Sequence, residues 1–196
     1  TLPTLPSVVS TLNISNNNIT TIDYLPSSMT LFNAFNNNIS CLPIVPDVSG
    51  SVFLNLMNNP LTCVPNYTND MNATLSNLPL CTTNDPVNNP MGCSSAEGIS
   101  GYIYSDNDMS CTRTNNEMGI SNIPVRIYDA AMNQIAMTSS IENGRYFIPN
   151  STVGTYTIVA DTLGVPVESF CLYPGVDSTL TLTASDSLAD NVDFGF

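Results

Sequence analysis

The sequence predicts a mainly β protein with two different parts, and two observations predict it. The first half repeats a short apolar strand followed by asparagine, whereas the second half holds six β-rich segments separated by turn residues. No segment has the apolar periodicity of a helix. We therefore expect stacked repeats with a carboxy-terminal cap over residues 1–81, a linker over 82–96 and a β-sandwich over 97–196.

The repeats occupy residues 9–19, 29–39 and 51–61, which all follow the template L-x-x-L-x-L-x-x-N-x-L. The repeat asparagines, spaced 20 and 22 residues apart, are Asn17, Asn37 and Asn59. In each unit a strand such as Leu12-x-Ile14 turns its apolar side chains inward. The asparagine amide then satisfies backbone groups where the chain turns. Because no unit can bury its apolar face alone, the units must stack into a solenoid.

This pattern resembles a leucine-rich-repeat protein of the short-unit type, over about residues 2–66. Each unit also opens with an apolar residue and proline, at Leu5-Pro6, Leu25-Pro26 and Val45-Pro46. The template is lost after Asn66, so residues 66–81 are expected to cap the solenoid. The amino-terminal end shows no cap, which leaves the first repeat open to further repeats or to a neighbouring subunit.

The cysteines indicate three disulfides in an oxidising compartment, because their number is even and no CxxC pair is present. They are Cys41, Cys63, Cys81, Cys93, Cys111 and Cys171. A metal cluster is the alternative, although clustered ligand spacing is absent. Cys41 and Cys63 each follow a repeat asparagine by four positions, so stacking places them about 5 Å apart and predicts a Cys41–Cys63 bond. A local Cys81–Cys93 bridge is predicted to close the linker.

The β-rich segments of the second half cover residues 99–104, 124–128, 145–148, 155–160, 178–183 and 191–194. Glu142-Asn143-Gly144 carries the signal of a tight hairpin. Six or seven short strands in about 100 residues are typical of a β-sandwich.

The order of the motifs in residues 97–196 is similar to that of the B-type domain of bacterial surface adhesins. That domain is related to the Cna-B and carboxypeptidase-regulatory sandwiches. The motifs run from Gly101-Tyr-Ile-Tyr through Ile123-Pro-Val and Asn143-Gly-Arg-Tyr to Asp193-Phe-Gly-Phe. The resemblance implies an Ig-like or prealbumin-like sandwich that acts as a spacer, often with calcium. The internal lysine–asparagine bond of some relatives is impossible here, because the chain has no lysine.

An acidic loop in the second half carries the chemistry of a calcium site. The candidate ligands at positions 1, 3, 5, 7, 9 and 12 of a 12-residue window are Asp106, Asp108, Ser110, Thr112 (through its carbonyl), Thr114 and Glu117. Six or seven oxygens suit Ca²⁺. Two departures count against the site: Cys111 stands where glycine is usual, and serine at position 5 lowers the charge. The alternative is a solvated acidic loop tied by a Cys111–Cys171 disulfide.

The composition excludes several functions. The chain has no histidine, lysine or tryptophan, and its three arginines oppose 16 acidic residues for a net charge of −13. Histidine-based catalysis, a Schiff base and a phosphate-binding lysine are therefore excluded. The negative net charge argues against binding to nucleic acid or to anionic membranes. No apolar run is long enough for membrane insertion. We expect a protein that is not an enzyme.

These observations predict a secreted segment of a bacterial cell-surface adhesin or stalk, whose solenoid binds a protein or glycan ligand. The alternative is a structural subunit of an extracellular filament made from further copies of the chain. Because it starts at Thr1, the chain is expected to be a mature or trimmed fragment.

Glycosylation is a further expectation, at Asp161-Thr162-Leu163, at Asp186-Ser187-Leu188 or at Asn-x-Ser/Thr sequences, although composition alone produces many of the latter. Those begin at Asn13, Asn18, Asn38, Asn66, Asn72 and Asn150.

Overall fold

The computed structural model describes residues 2, 5–46, 53–68, 71, 73–82, 85–94, 97–114, 116–149, 152–161, 177–183 and 188–196. The chain is mainly β and divides into two compact units, Thr1–Ala96 and Glu97–Phe196. Among the described residues, no helix has the length and apolar character needed to cross a membrane.

The first unit is organised by three short parallel strands: β1 (Thr11–Asn13), β2 (Leu31–Asn33) and β3 (Phe53–Asn55). Equivalent repeat positions lie side by side, with Leu12 opposite Phe32 and Phe32 opposite Leu54. Phe32 and Leu54 are buried, whereas Leu12 is only half-buried. Leu12 lies on the first described strand of the stack, whereas the cap segment with Val64 and Leu80 follows β3.

Side-chain amides of the repeat asparagines join one repeat to the next. Asn37 is buried, and its Nδ2 donates to the carbonyl of Ile14 in the preceding repeat at 2.9 Å and to that of Ala34 at 3.1 Å. Its Oδ1 accepts from the Ile19 N–H at 3.0 Å. Asn59 repeats the pattern one unit later. The predicted role of these amides is therefore observed, and it extends across repeats as well as within them.

The predicted pairing of the first four cysteines is wrong. The bonds are Cys41–Cys93 and Cys63–Cys81. Stacking does bring Cys41 and Cys63 into one cluster. However, the cap continues the stack beyond Cys63, because Val64 pairs with Leu80 and accepts a hydrogen bond from the Cys81 N–H at 2.8 Å. Cys63 thus has a cysteine on each side and bonds to the later one, which leaves Cys41 for Cys93.

The remainder of the first unit closes its carboxy-terminal end. A single helical turn, α1 (Ala73–Ser76), follows the third repeat. The segment predicted as a linker is attached to the second repeat by the Cys41–Cys93 bond. Asn89 is buried within it, donating to the carbonyls of Thr82 and Cys93 and accepting from the Cys93 N–H. The described residues of this segment, 82 and 85–94, are therefore structured.

The described residues of the second unit form two four-stranded sheets. The strands are β4 (Gly98–Tyr104), β5 (Pro124–Tyr128), β6 (Gln134–Ser139), β7 (Arg145–Pro149), β8 (Gly154–Ala160), β9 (Asp177–Leu182), β10 (Leu188–Ala189) and β11 (Phe194–Gly195). In one sheet β4 pairs with β7, β10 and β11; the other has the order β6-β5-β8-β9. A common apolar core takes Ile103, Tyr146 and Phe194 from the first and Ile127 and Ile158 from the second. This arrangement is consistent with a β-sandwich.

Strand β6 was not among the predicted strands. Its apolar side chains Ile135 and Met137 point to solvent, and only the small Ala136 packs against the core, so the inward pattern is weak. The turn predicted at residues 142–144 does form, with the Gly144 N–H bonded to the Ile141 carbonyl. It does not make a hairpin, because β6 and β7 belong to different sheets.

The structure bears on the predicted glycosylation sequence at Asn66, and several of the others lie outside the described residues. Asn66 is buried and bonds to the backbone of Val45 through both ends of its amide, so the folded chain offers no acceptor there. Thr162 and Leu163, together with residues 72, 150 and 186–187, lie outside the described residues.

Replacing Asn37 with alanine should destabilise the first unit by about 2–4 kcal/mol, because buried backbone groups of two repeats lose their partners. Asn17→Ala is the matched control: Asn17 is exposed and its side-chain amide donates only to carbonyls of its own repeat, so the loss should be below about 1 kcal/mol. Urea-dependent amide exchange measured by mass spectrometry resolves the two units. Equal effects of the two variants would contradict the inter-repeat role.

Candidate metal site

The acidic loop joins β4 to β5 and is closed at its base by backbone pairing. Tyr104 forms an antiparallel bridge with Gly119, and the Ser105 N–H donates to the Met118 carbonyl at 2.9 Å. The Asp106 N–H donates to the carbonyl of Phe196 at 2.9 Å. The loop therefore begins and ends at fixed points, which holds its two ends together.

Gly119 at the base of the loop allows a close approach of two backbone segments. A Cβ atom there would lie 1.8 Å from the carbonyl oxygen of Asn143, in the turn that precedes β7. Gly144 in the same turn has a φ of 82°, and a Cβ atom there would lie 2.2 Å from the carbonyl oxygen of Ile103. The two glycines thus allow the base of the acidic loop to lie against the turn that precedes β7.

The loop brings three of the six predicted ligands together. Carboxylate oxygens of Asp106, Asp108 and Glu117 lie within 4.8 Å of one another. Two oxygens on opposite sides of one calcium ion, each about 2.4 Å from it, are separated by about this distance. Asp106 and Glu117 are buried, with 7% and 6% of their surface exposed, whereas Asp108 is exposed.

Hydrogen bonds from the loop backbone orient the two aspartates. The Ser110 N–H donates to Asp106 Oδ1 at 3.1 Å and to Asp108 Oδ1 at 3.0 Å, and the Cys111 N–H donates to Asp106 Oδ2 at 2.9 Å. The bonds from Ser110 lower the pKa of the Asp108 carboxyl. Both aspartates are thus fixed in place as acceptors.

Glu117 has one carboxylate oxygen bonded and one without a hydrogen-bond partner. Its Oε2 accepts from the Thr114 N–H at 2.6 Å, but the buried Oε1 has no hydrogen-bond partner. A buried carboxylate oxygen without a donor is costly unless a cation binds it. The ion pair between Arg126 and Asp161 lies outside the loop. Arg113 lies in the loop itself, with its guanidinium over the Tyr102 ring at 3.8 Å.

The remaining predicted ligands are the oxygen atoms of Ser110, Thr112 and Thr114. Ser110 Oγ donates to the Thr112 carbonyl at 3.0 Å, so these two groups bond to each other. Thr114 contributes its backbone N–H to Glu117. Cys111, which stands where glycine is usual, has a φ of 58° and so adopts the left-handed conformation that glycine favours. Cys111 is disulfide-bonded, and its predicted partner Cys171 lies outside the described residues.

Tyr104 is a neighbour of the site that the sequence analysis missed. Burial raises its pKa to about 12, and the carboxylates of Asp106 and Glu117 act in the same direction. Its protonated form contributes to stability below pH 10, and this contribution is lost as the pH rises toward 12. No pattern in the sequence identifies this tyrosine as a buried neighbour of the carboxylates.

The donor set fits a hard cation. All three convergent side chains are carboxylates, which suit Ca²⁺ better than Zn²⁺ because zinc prefers nitrogen and sulfur ligands. The sulfur atoms of Cys63, Cys81 and Cys93 also converge, but all three belong to disulfides. The cysteine metal cluster considered above is therefore excluded for these residues.

A second candidate surface lies on the sheet of the first unit. Phe53 is 59% exposed on β3, and its strand-mate Asn55 is equivalent to Asn33 and Asn13 on the neighbouring strands. The Oδ1 atom of each of these asparagines accepts from the N–H two residues later. Their side-chain N–H groups thus form a row at the strand spacing, beside an exposed aromatic ring. We call these four residues the Phe53 face.

A scan against protein-family models and a search of curated protein sequences found no match for this chain.

Gly119→Ala should open the acidic loop and destabilise the second unit by about 2 kcal/mol or more, because the added methyl group meets backbone rather than a movable side chain. Gly154→Ala is the matched control, since its Cβ would meet only the Tyr156 side chain, at 3.2 Å. Thermal unfolding followed by circular dichroism measures both. A Gly119→Ala variant as stable as Gly154→Ala would contradict the close approach.

Proposed function

We propose that the chain is a non-enzymatic, extracellular segment of a bacterial cell-surface adhesin. In this proposal the first unit is a short leucine-rich-repeat solenoid that binds a protein or glycan, and the second is a calcium-stabilised spacer of the adhesin B type. The disulfides and the absence of histidine and lysine support an extracellular, non-catalytic role. The unpartnered Oε1 of Glu117, beside two further carboxylates, is the observation on which the calcium part depends.

Bound calcium would supply charge compensation and no reaction step. Asp106, Asp108 and Glu117 would hold it. Without a cation, three neighbouring carboxylates repel one another and the loop is strained electrostatically. With one, the loop ends at Asp106 and Glu117 are drawn together, and the spacer resists unfolding. A ligand that binds only the folded state stabilises it in this way.

The Phe53 face supports the binding part of the proposal. An exposed aromatic ring and a row of neutral amide donors suit an uncharged polar ligand such as a glycan, because the ring packs on apolar ring faces while the amides bond to hydroxyls. The three asparagines carry no charge. A strongly anionic ligand is disfavoured by the net charge of −13.

Calcium at about 100 times its dissociation constant should stabilise the second unit by about 2.7 kcal/mol and raise its Tm by about 10 °C. Glu117→Gln should abolish this shift, because it removes one charge from the site. In the absence of calcium the same variant should be at least as stable as the natural chain, since the repulsion is reduced while Thr114 keeps an acceptor. Calorimetric titration and thermal unfolding measure both effects.

Glu142→Gln is the matched control for the calcium experiment. Glu142 is exposed in the turn before β7 and lies outside the carboxylate cluster, so the calcium shift should be unchanged. A melting curve of the natural chain that does not respond to calcium would contradict the site. So would an equal response in Glu117→Gln.

Phe53→Ala should weaken binding to a glycan array by about tenfold, because the aromatic contact is lost. Ile44→Ala is the control, since Ile44 is 58% exposed in the same unit but lies outside the strands. Labelled protein is applied to the array at several concentrations. Binding that is absent, or equally reduced by the two variants, would contradict the role of the face.

The second candidate function is a structural subunit of an extracellular filament. It is favoured by β1, whose outer side pairs with no strand in the part of the chain that is described. An open strand edge is a template for another chain. Regular filaments seen by negative-stain electron microscopy would favour this function, whereas dispersed particles would favour the adhesin.

A further inference from the structure

Strand β6 forms one edge of its sheet in the second unit. The sheet has the order β6-β5-β8-β9, so β5 covers one side of β6 and no described strand covers the other. Proteins protect such edges with charges, proline or bulges, because unpaired backbone groups attract other strands. The inference developed from this edge is independent of the function proposed above.

The ladder with β5 shows which backbone groups of β6 face outward. Ser140, which continues β6, directs its N–H to the Ile123 carbonyl and its carbonyl to the Asn122 N–H. Groups alternate along a strand, so Thr138 also faces β5, opposite Val125. Met137 and Ser139 therefore present their N–H and C=O groups to the open side.

The side chains of this edge lack the usual protection. Ile135 is 47% and Met137 is 58% exposed, and no charged residue or proline occurs from residue 130 to residue 141. The charges that flank this stretch are Asp129 and Glu142. The ladder is irregular only between Ile127 and Tyr128, near the start of β6, so the bulge leaves the end of the strand regular.

We propose that a second copy of this chain pairs with this edge through its own β6 strand, antiparallel and centred on Met137. The partner must be extended, uncharged and apolar at alternate positions, and β6 itself meets all three requirements. A two-fold axis at Met137 places each Met137 opposite its counterpart and each Ile135 opposite Ser139. Both copies then satisfy their open backbone groups in one contact.

The charge of the chain favours this contact over other faces. Two copies that each carry a net charge of −13 repel one another, and a stretch of 12 uncharged residues is where they approach with least cost. Pairing makes a continuous sheet of eight strands, four from each copy. Because the contact is isologous, it closes at two copies and does not propagate into a filament.

Sedimentation velocity from about 1 µM to about 1 mM tests the proposal. The natural chain should shift from monomer to dimer, and Met137→Lys should raise the dissociation constant by about tenfold or more, because two like charges meet at the axis. Met91→Lys is the matched control: it makes the same substitution at a residue 61% exposed in the first unit, and it should dimerise normally. Unchanged circular dichroism and Tm establish that the variants fold.

Crosslinking tests the register independently of affinity. Met137→Cys should give a covalent dimer with a short bismaleimide, whereas Met91→Cys should not. A natural chain that stays monomeric over the whole range would overturn the proposal. So would dimers that Met137→Lys leaves intact.

Discussion

The structure depends on satisfying buried backbone groups with few charges. Only 10% of the residues are charged, and neutral side chains complete the bonding at several buried points that the backbone ladders leave open. Asn37 joins two repeats, Asn66 holds the chain at Val45, and Ser140 both donates to the Ile120 carbonyl and accepts from the Ile123 N–H. Because short neutral side chains reach only near neighbours, this requirement forces the elements to lie in close, fixed register.

The two sites singled out above are places where that rule is broken. Glu117 is buried with one oxygen unpartnered, although the Asn37 and Asn66 amides at comparable depth have partners at both ends. The outer side of β6 leaves backbone groups open beside exposed apolar side chains. We propose that each of these unfilled bonding positions binds a partner: a cation in the first case and a second strand in the other.

The sequence predicted the parts of this chain that repeat and missed the parts that depend on a single neighbour. The asparagine period located the three stacked strands, because the amide must recur wherever the chain turns. The disulfides were mispaired, because Cys63 has stacked cysteines on both sides and spacing alone does not choose between them. Strand β6 was missed because its core contact is only an alanine. At the acidic loop, alternation indicated six ligands, and the structure brings the three carboxylates among them together.

The Cys41–Cys93 bond also determines how the chain carries tension. Its two cysteines are 52 residues apart, and the bond connects the second repeat directly to the end of the first unit. A pulling force along the chain would pass through the two sulfur atoms and bypass the third repeat and the cap. At about 3.4 Å per residue, this removes roughly 180 Å from the length to which the chain can be stretched. The third repeat and the cap could then unfold and refold without lengthening a molecule under load.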